Sequence, residues 1–160
     1  MSEKSPDAAG LPRVFVDADV LVAGCASVEG ASHLLLQLGE LGLLEVIGSA
    51  QVREEAERAL GRKLPSALPA FRQLADAAVH WVPNPPTDSL SEHAGQAHRE
   101  DVAILVAAIH AEADVFLTFN TRHYRQRSAP PHIERPGAFL QRLRARLQDL
   151  VDPQTPTESD

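Results

Sequence analysis

Three acidic residues sit where folding elements should begin or end. Asp17 closes the apolar run Val14-Phe15-Val16, and Glu55 lies in the helical stretch after Glu45-Val46-Ile47-Gly48-Ser49. Asp101 opens the apolar stretch Val102–Ile109, and Asn120 follows the run Val115-Phe116-Leu117-Thr118-Phe119. Gathered at one edge of a fold, three carboxylates repel one another unless a cation lies between them. Oxygen donors of this kind suit a hard divalent ion, which makes a metal site the first chemistry to test.

The elements that must position these residues are short β-branched runs alternating with helical patterns. Strands are expected at Val14–Val16, Glu45–Gly48, Val79–Val82, Val115–Thr118 and near His132–Glu134. A short helix is expected from Asp19, and a longer one through Ser32–Leu38, stopped by Gly42. Ser49 is placed to cap a helix running to Leu60. Further helices are expected over about Ser66–Ala78 and His98–Glu112, and from Pro136, a residue suited to the first helical position, to about Leu150. The segment Pro85–Asp88 reads as a loop. Strands alternating with helices predict an α/β fold with a mainly parallel sheet between two helical layers. In such a sheet the carboxyl ends of the strands share one edge, where ligands bind.

The chain has 160 residues, room for one domain with a proper core, and 44% of them are hydrophobic, as in globular proteins. Residues 1–12 read as a flexible lead, 13–150 as a single domain and 151–160 as a disordered tail. A net charge of -7 argues against sequence-independent nucleic-acid binding, though not against an enzyme acting on nucleic acid through a local basic patch. A lone cysteine, Cys25, cannot form an internal disulfide and lies in an apolar stretch, which fits a buried thiol in a reducing cytoplasm. No stretch has the length of a membrane span, and the first residues lack the apolar core of a signal peptide.

Four motifs in order resemble the PIN domain family. The first is Val14-Phe15-Val16-Asp17-Ala18-Asp19-Val20-Leu21-Val22, and the second is Ser49–Leu60, with Glu55 as the matching acid and Glu54 as runner-up. The third is Glu100–Ala108, headed by Asp101, and the fourth is Ala113–Tyr124. The resemblance spans about residues 13–140. It implies an α/β/α sandwich and a metal-dependent ribonuclease. It further implies Mg²⁺ or Mn²⁺ as the ion, with Asp17, Glu55 and Asp101 as the catalytic acids that hold it. Asn120 adds a carbonyl ligand, and Thr118 is a hydrogen-bonding partner for phosphate or water. Many members are toxins of VapC-type toxin–antitoxin pairs and often dimers, so RNA, an antitoxin protein and a second copy are the partners implied. Two positions depart from the family pattern. Asp19 stands where Asn is commoner, and Asn120 and His123 stand where an Asp is usual. An amide brings no charge, which opens the alternative of a weakened scaffold that binds RNA or a protein partner.

Asp17-Ala18-Asp19-Val20 also satisfies the opening motif of haloacid-dehalogenase-like phosphatases, with Ser49 and Lys63 as the later partners. That reading ranks behind the nuclease, because Val115–Phe119 ends in Asn120 and not in an acid. Arg122 and Arg125 are candidates for phosphate contact, and Tyr124 between them could stack on an unpaired base. His93 and His98 suggest zinc, but neither a cysteine nor a third histidine stands at zinc-site spacing, which favours solvated or supporting roles. Taken singly, Asp101 reads as a helix cap, and Asp19 as a cap or a source of charge.

Overall fold

The computed structural model describes residues 10–151. Most of the expected flexible lead (residues 1–9 of 1–12) and of the expected tail (residues 152–160) lies outside the described residues. Five strands, β1 (Arg13–Val16), β2 (Glu45–Ser49), β3 (Val79–Val82), β4 (Val115–Leu117) and β5 (His132–Glu134), form one sheet. Its order is β3-β2-β1-β4-β5, and every neighbouring pair is parallel. Val14, Phe15 and Val16 are each 0% exposed, as expected of a central strand covered on both faces. Phe15 meets Phe116 of β4 edge to face at 5.4 Å, so the two strands that carry the site are locked by an aromatic pair.

Six α-helices complete the α/β architecture: α1 (Ala18–Ala26), α2 (Ala31–Glu40), α3 (Ala50–Lys63), α4 (Leu68–Ala78), α5 (Val102–His110) and α6 (Pro136–Val151). Helices α1 to α4 pack on one another, and α6 joins them against α2. Helix α5 packs instead against β2 and the 3-10 segment Thr87–His93. It is apolar nearly all round, with Val102, Ile104, Leu105, Val106, Ala107 and Ala108 buried, the pattern of a helix sunk in a core. Gly42 ends α2 at φ +71°, where Leu43 N–H reaches back to the Leu38 carbonyl at 2.9 Å. Gly39 lets α2 lie tight on the sheet, since a Cβ there would come within 2.8 Å of Val46 and of the Ala78 carbonyl. No single helix among the described residues is long and apolar enough to cross a membrane.

Ser49 caps α3 as expected, its Oγ accepting from Val52 N–H at 3.3 Å. Other boundaries moved for physical reasons. Helix α1 starts at Ala18, because Asp17 and not Asp19 is its cap residue. Helix α5 starts at Val102, not near His98, because the His98 N–H donates to the His123 carbonyl at 2.7 Å and is tied to another part of the chain. The expected loop after Pro85 contains the 3-10 segment Thr87–His93.

Beyond β1 the chain steps to β2 and β3. It then returns through α5 to β4 on the other side of β1. The connections leaving β1 and β4 therefore diverge, which opens a crevice at their carboxyl ends.

Candidate metal centre

Asp17 and Asp19 leave the end of β1, and Thr118 to Asn120 leave the end of β4. Asp17 is only 8% exposed. Its Oδ1 accepts from Ala18 N–H at 2.8 Å, and its Oδ2 accepts from the Thr118 hydroxyl at 2.9 Å and the Tyr124 hydroxyl at 3.3 Å. The carboxylate is thus fixed on three sides. Asp19 Oδ2 accepts from Phe119 N–H and from the Asn120 side-chain amide, both at 3.1 Å. Asp19 Oδ1 is buried with no hydrogen-bond partner.

From the opposite wall, α3 contributes Glu55, whose Oε1 accepts from Gln51 Nε2 at 3.0 Å. Glu54 is exposed and pairs with Arg58, whereas Glu55 lines the cleft. Asp101 stands at the cap position of α5 but makes no side-chain cap bond. Its Oδ2 takes a hydrogen bond from His123 Nδ1 at 2.9 Å instead. Asp17, Asp19, Glu55, Asp101, Asn120 and His123 line one cleft of about 470 Å³. Arg58, Arg62 and Lys63 of α3 form its basic rim. A larger hollow of about 670 Å³ lies at the other edge of the sheet, by the amino ends of β4 and β5. There Arg142 pairs with Glu134 and Asp114 accepts from the Arg13 backbone N–H, whereas the acids expected from the sequence lie in the smaller cleft.

The electrostatics point the same way. Burial, then the nearby Asp17 charge, pushes Asp19 up to about 6. Burial also raises Asp17, with Asp101 adding to the effect, and it raises Asp101 against the opposing pull of His123. Tyr124 is raised by burial and by the carboxylates around it, so it stays a hydroxyl donor to Asp17. The fit to a divalent cation rests on Asp19 Oδ1. A buried carboxylate oxygen without a donor is costly, and a cation bound to it removes the cost.

A stability prediction follows. Asp19 is raised above its ordinary 3.8, so between about pH 4 and pH 6 the folded state keeps a proton that the unfolded state has released. Stability from this group is present below that window and is lost as pH rises through about 6. In chelator this group should cost the protein about 1 kcal/mol between pH 5 and pH 7.5, after allowance for partial solvent screening. Urea denaturation at both pH values checks this. Equal slopes with pH for the parent and Asp19→Asn would contradict it.

Three sequence expectations receive a different place. Thr118 is fully buried, and its hydroxyl orients Asp17 and accepts from Asn120 N–H. It lies behind a carboxylate and not against a substrate phosphate. Tyr124 is buried edge to face on Phe116 at 4.9 Å, which removes it from base stacking. Arg122 and Arg125 are exposed and outside the cleft lining. Sequence reading left Asp19 open between a cap and a source of charge, and missed the roles of Tyr124 and the α3 cations. The spacing Arg58, Arg62 on the Glu55 face of one helix was the available signal for the last.

The profile described as the PIN domain matches residues 13–122. Among solved structures, PAE2754 from Pyrobaculum aerophilum is similar, with a TM-score of 0.58 and 18% identity. That match covers 91% of this chain and 99% of the other, and at this identity it speaks for the fold alone. No curated protein matches the sequence.

Proposed function

Because the chain belongs to the PIN domain family, whose members are generally nucleases that use divalent metals, we propose that it is a metal-dependent endoribonuclease acting on single-stranded RNA. The observation that carries this reading is the convergence of Asp17, Asp19, Glu55 and Asp101 on one cleft, with a buried carboxylate oxygen left unpartnered. Mg²⁺ or Mn²⁺ would be held in this cleft by the acids directly or through the ion's waters. When bound, such an ion polarises a phosphoryl oxygen, lowers the pKa of water and orients in-line attack.

The chain's own residues do the positioning. Thr118, Tyr124 and Ala18 N–H fix the Asp17 carboxylate, while Phe119 N–H and Asn120 fix that of Asp19. Little reorganisation is then needed when charge develops at the phosphate. Arg62 and Lys63, beside the acids, offset the charge of flanking phosphates that the carboxylates would otherwise repel. The cleft is open to solvent on this rim, so an unpaired strand can lie along it.

The weakened-scaffold reading rested on the missing acid at Asn120. Asp19 supplies a carboxylate 3.1 Å from that amide, so the centre keeps four acids. The phosphatase reading needs a final acid after β4, where Asn120 stands, and the family match favours the nuclease.

The test is incubation with single-stranded RNA in Mn²⁺, in Mg²⁺ and in EDTA. Cleavage should need metal and leave 5′-phosphate and 3′-hydroxyl ends. Activity in EDTA, or 2′,3′-cyclic phosphate products, would refute the mechanism. Turnover of p-nitrophenyl phosphate without RNA cleavage would restore the phosphatase.

A further inference from the structure

Two segments far apart in the chain are clasped beside the cleft. Arg125 N–H donates to the Gln96 carbonyl at 2.8 Å, and His98 N–H donates to the His123 carbonyl at 2.7 Å. Ala97 and Tyr124 form an antiparallel bridge between these two bonds. The clasp sets the His98 and His123 rings face to face, with centroids 4.1 Å apart and planes 20° from parallel. Asp101 N–H then donates to the His98 carbonyl at 2.8 Å, and this turn returns the Asp101 carboxylate to the same spot. One ligand atom from each of His98, Asp101 and His123 lies within 4.8 Å of the other two.

We propose that His98, Asp101 and His123 form a second metal site, selective for a nitrogen-preferring divalent ion of the Zn²⁺ type. The donor set differs in kind from its neighbour. Asp17, Asp19 and Glu55 offer only oxygen, which suits Mg²⁺ or Mn²⁺, whereas two imidazoles and one carboxylate suit Zn²⁺ or Co²⁺. Asp101 stands between the two sets. His123 Nδ1 and Asp101 Oδ2, 2.9 Å apart, already stand at the separation of two donors on one ion, so binding replaces the hydrogen bond between them and leaves the ring proton on Nε2.

Donors on one such ion, each about 2.0–2.1 Å from it, stand roughly 3 Å apart, so His98 is the donor that must close in. Stacked rings point their lone pairs side by side, so one ring must turn. His98 is exposed and can rotate about its own side-chain bonds, while the backbone clasp keeps its Cα in place.

This site needs no nuclease activity, so it can be tested apart from that reading. The full chain, stripped with chelator, is titrated with Co²⁺ under visible spectroscopy and with Zn²⁺ by calorimetry. We expect a visible Co²⁺ band that Zn²⁺ abolishes. His98→Ala and His123→Ala should each weaken Zn²⁺ binding at least tenfold, and His80→Ala, at an exposed histidine of β3, should change it less than twofold. Should His98→Ala fail to fold, proton NMR of the parent decides. Zn²⁺ should shift the His98 and His123 ring resonances at the first equivalent, before those of His33, His80, His110 and His132. Zn²⁺ affinity that is unchanged in His98→Ala, or ring shifts spread evenly over all the histidines, would overturn the proposal. Failure to cleave RNA in Mn²⁺ would refute only the nuclease.

Discussion

Asp17→Asn should lower RNA cleavage by about 10³-fold or more while leaving the metal-free protein at least as stable as the parent. The two effects have one cause. Asp17 is 8% exposed, and its burial raises its pKa, so the ionised carboxylate is a strain on the fold unless a cation compensates it. Asn keeps the shape. Its carbonyl can still accept from Ala18 N–H, and its amide can face the hydroxyls of Thr118 and Tyr124, which turn to accept. The fold loses an unfavourable charge and no volume. The site loses a charged ligand at its centre. Several kcal/mol of transition-state stabilisation at about 1.4 kcal/mol per tenfold gives the stated loss. Cleavage rates at saturating Mn²⁺ and melting curves in chelator measure both. A variant that melts well below the parent would mean that Asp17 is a structural acid whose charge the fold requires. A variant that still cleaves at the parent's rate would remove Asp17 from the chemistry.

The fold was legible in the sequence because its signals are local. Val14–Val16, Glu45–Gly48 and Val115–Thr118 are short β-branched runs, and the helices between them bring one strand after another into a parallel sheet. The convergence of Asp17, Glu55 and Asp101 could be read as well, since the carboxyl ends of parallel strands share an edge. What could not be read is which way a side chain turns once it gets there. Asp101 looks like a cap by position, yet its carboxylate faces His123. Thr118 and Tyr124 look polar and available, yet both are buried behind Asp17. The meeting of His98 with His123 is set by backbone bonds between distant segments, and spacing along the chain carries no trace of it.

Two departures from the family pattern meet in the fold. Asp19 stands where Asn is usual, Asn120 is one of the two positions, with His123, where an Asp is usual, and the Asn120 amide donates to Asp19 Oδ2 at 3.1 Å. The pair shares a single hydrogen bond and carries one carboxylate. Asn120→Asp alone would place two carboxylates at that distance. In chelator near pH 8 the variant should be less stable by about 1–3 kcal/mol, limited by the pair's ability to share a proton. Asp19 would then be pushed further above its present value of about 6. With Mn²⁺ the sign reverses, because the added charge attracts the ion, and affinity should rise. Asp19→Asn alone should do the opposite, with a more stable metal-free protein, weaker Mn²⁺ binding and slower cleavage. The double variant Asp19→Asn, Asn120→Asp restores one acid and one amide in contact, so its stability and affinity should return toward the parent. A coupling of about 0.5–3 kcal/mol between the two positions is the expected size for residues in direct contact. Calorimetry with Mn²⁺ and denaturation in chelator on all four proteins complete the cycle. Strictly additive effects would show that the two side chains do not share the cation, and that Asn120 merely steadies Asp19 from outside the centre.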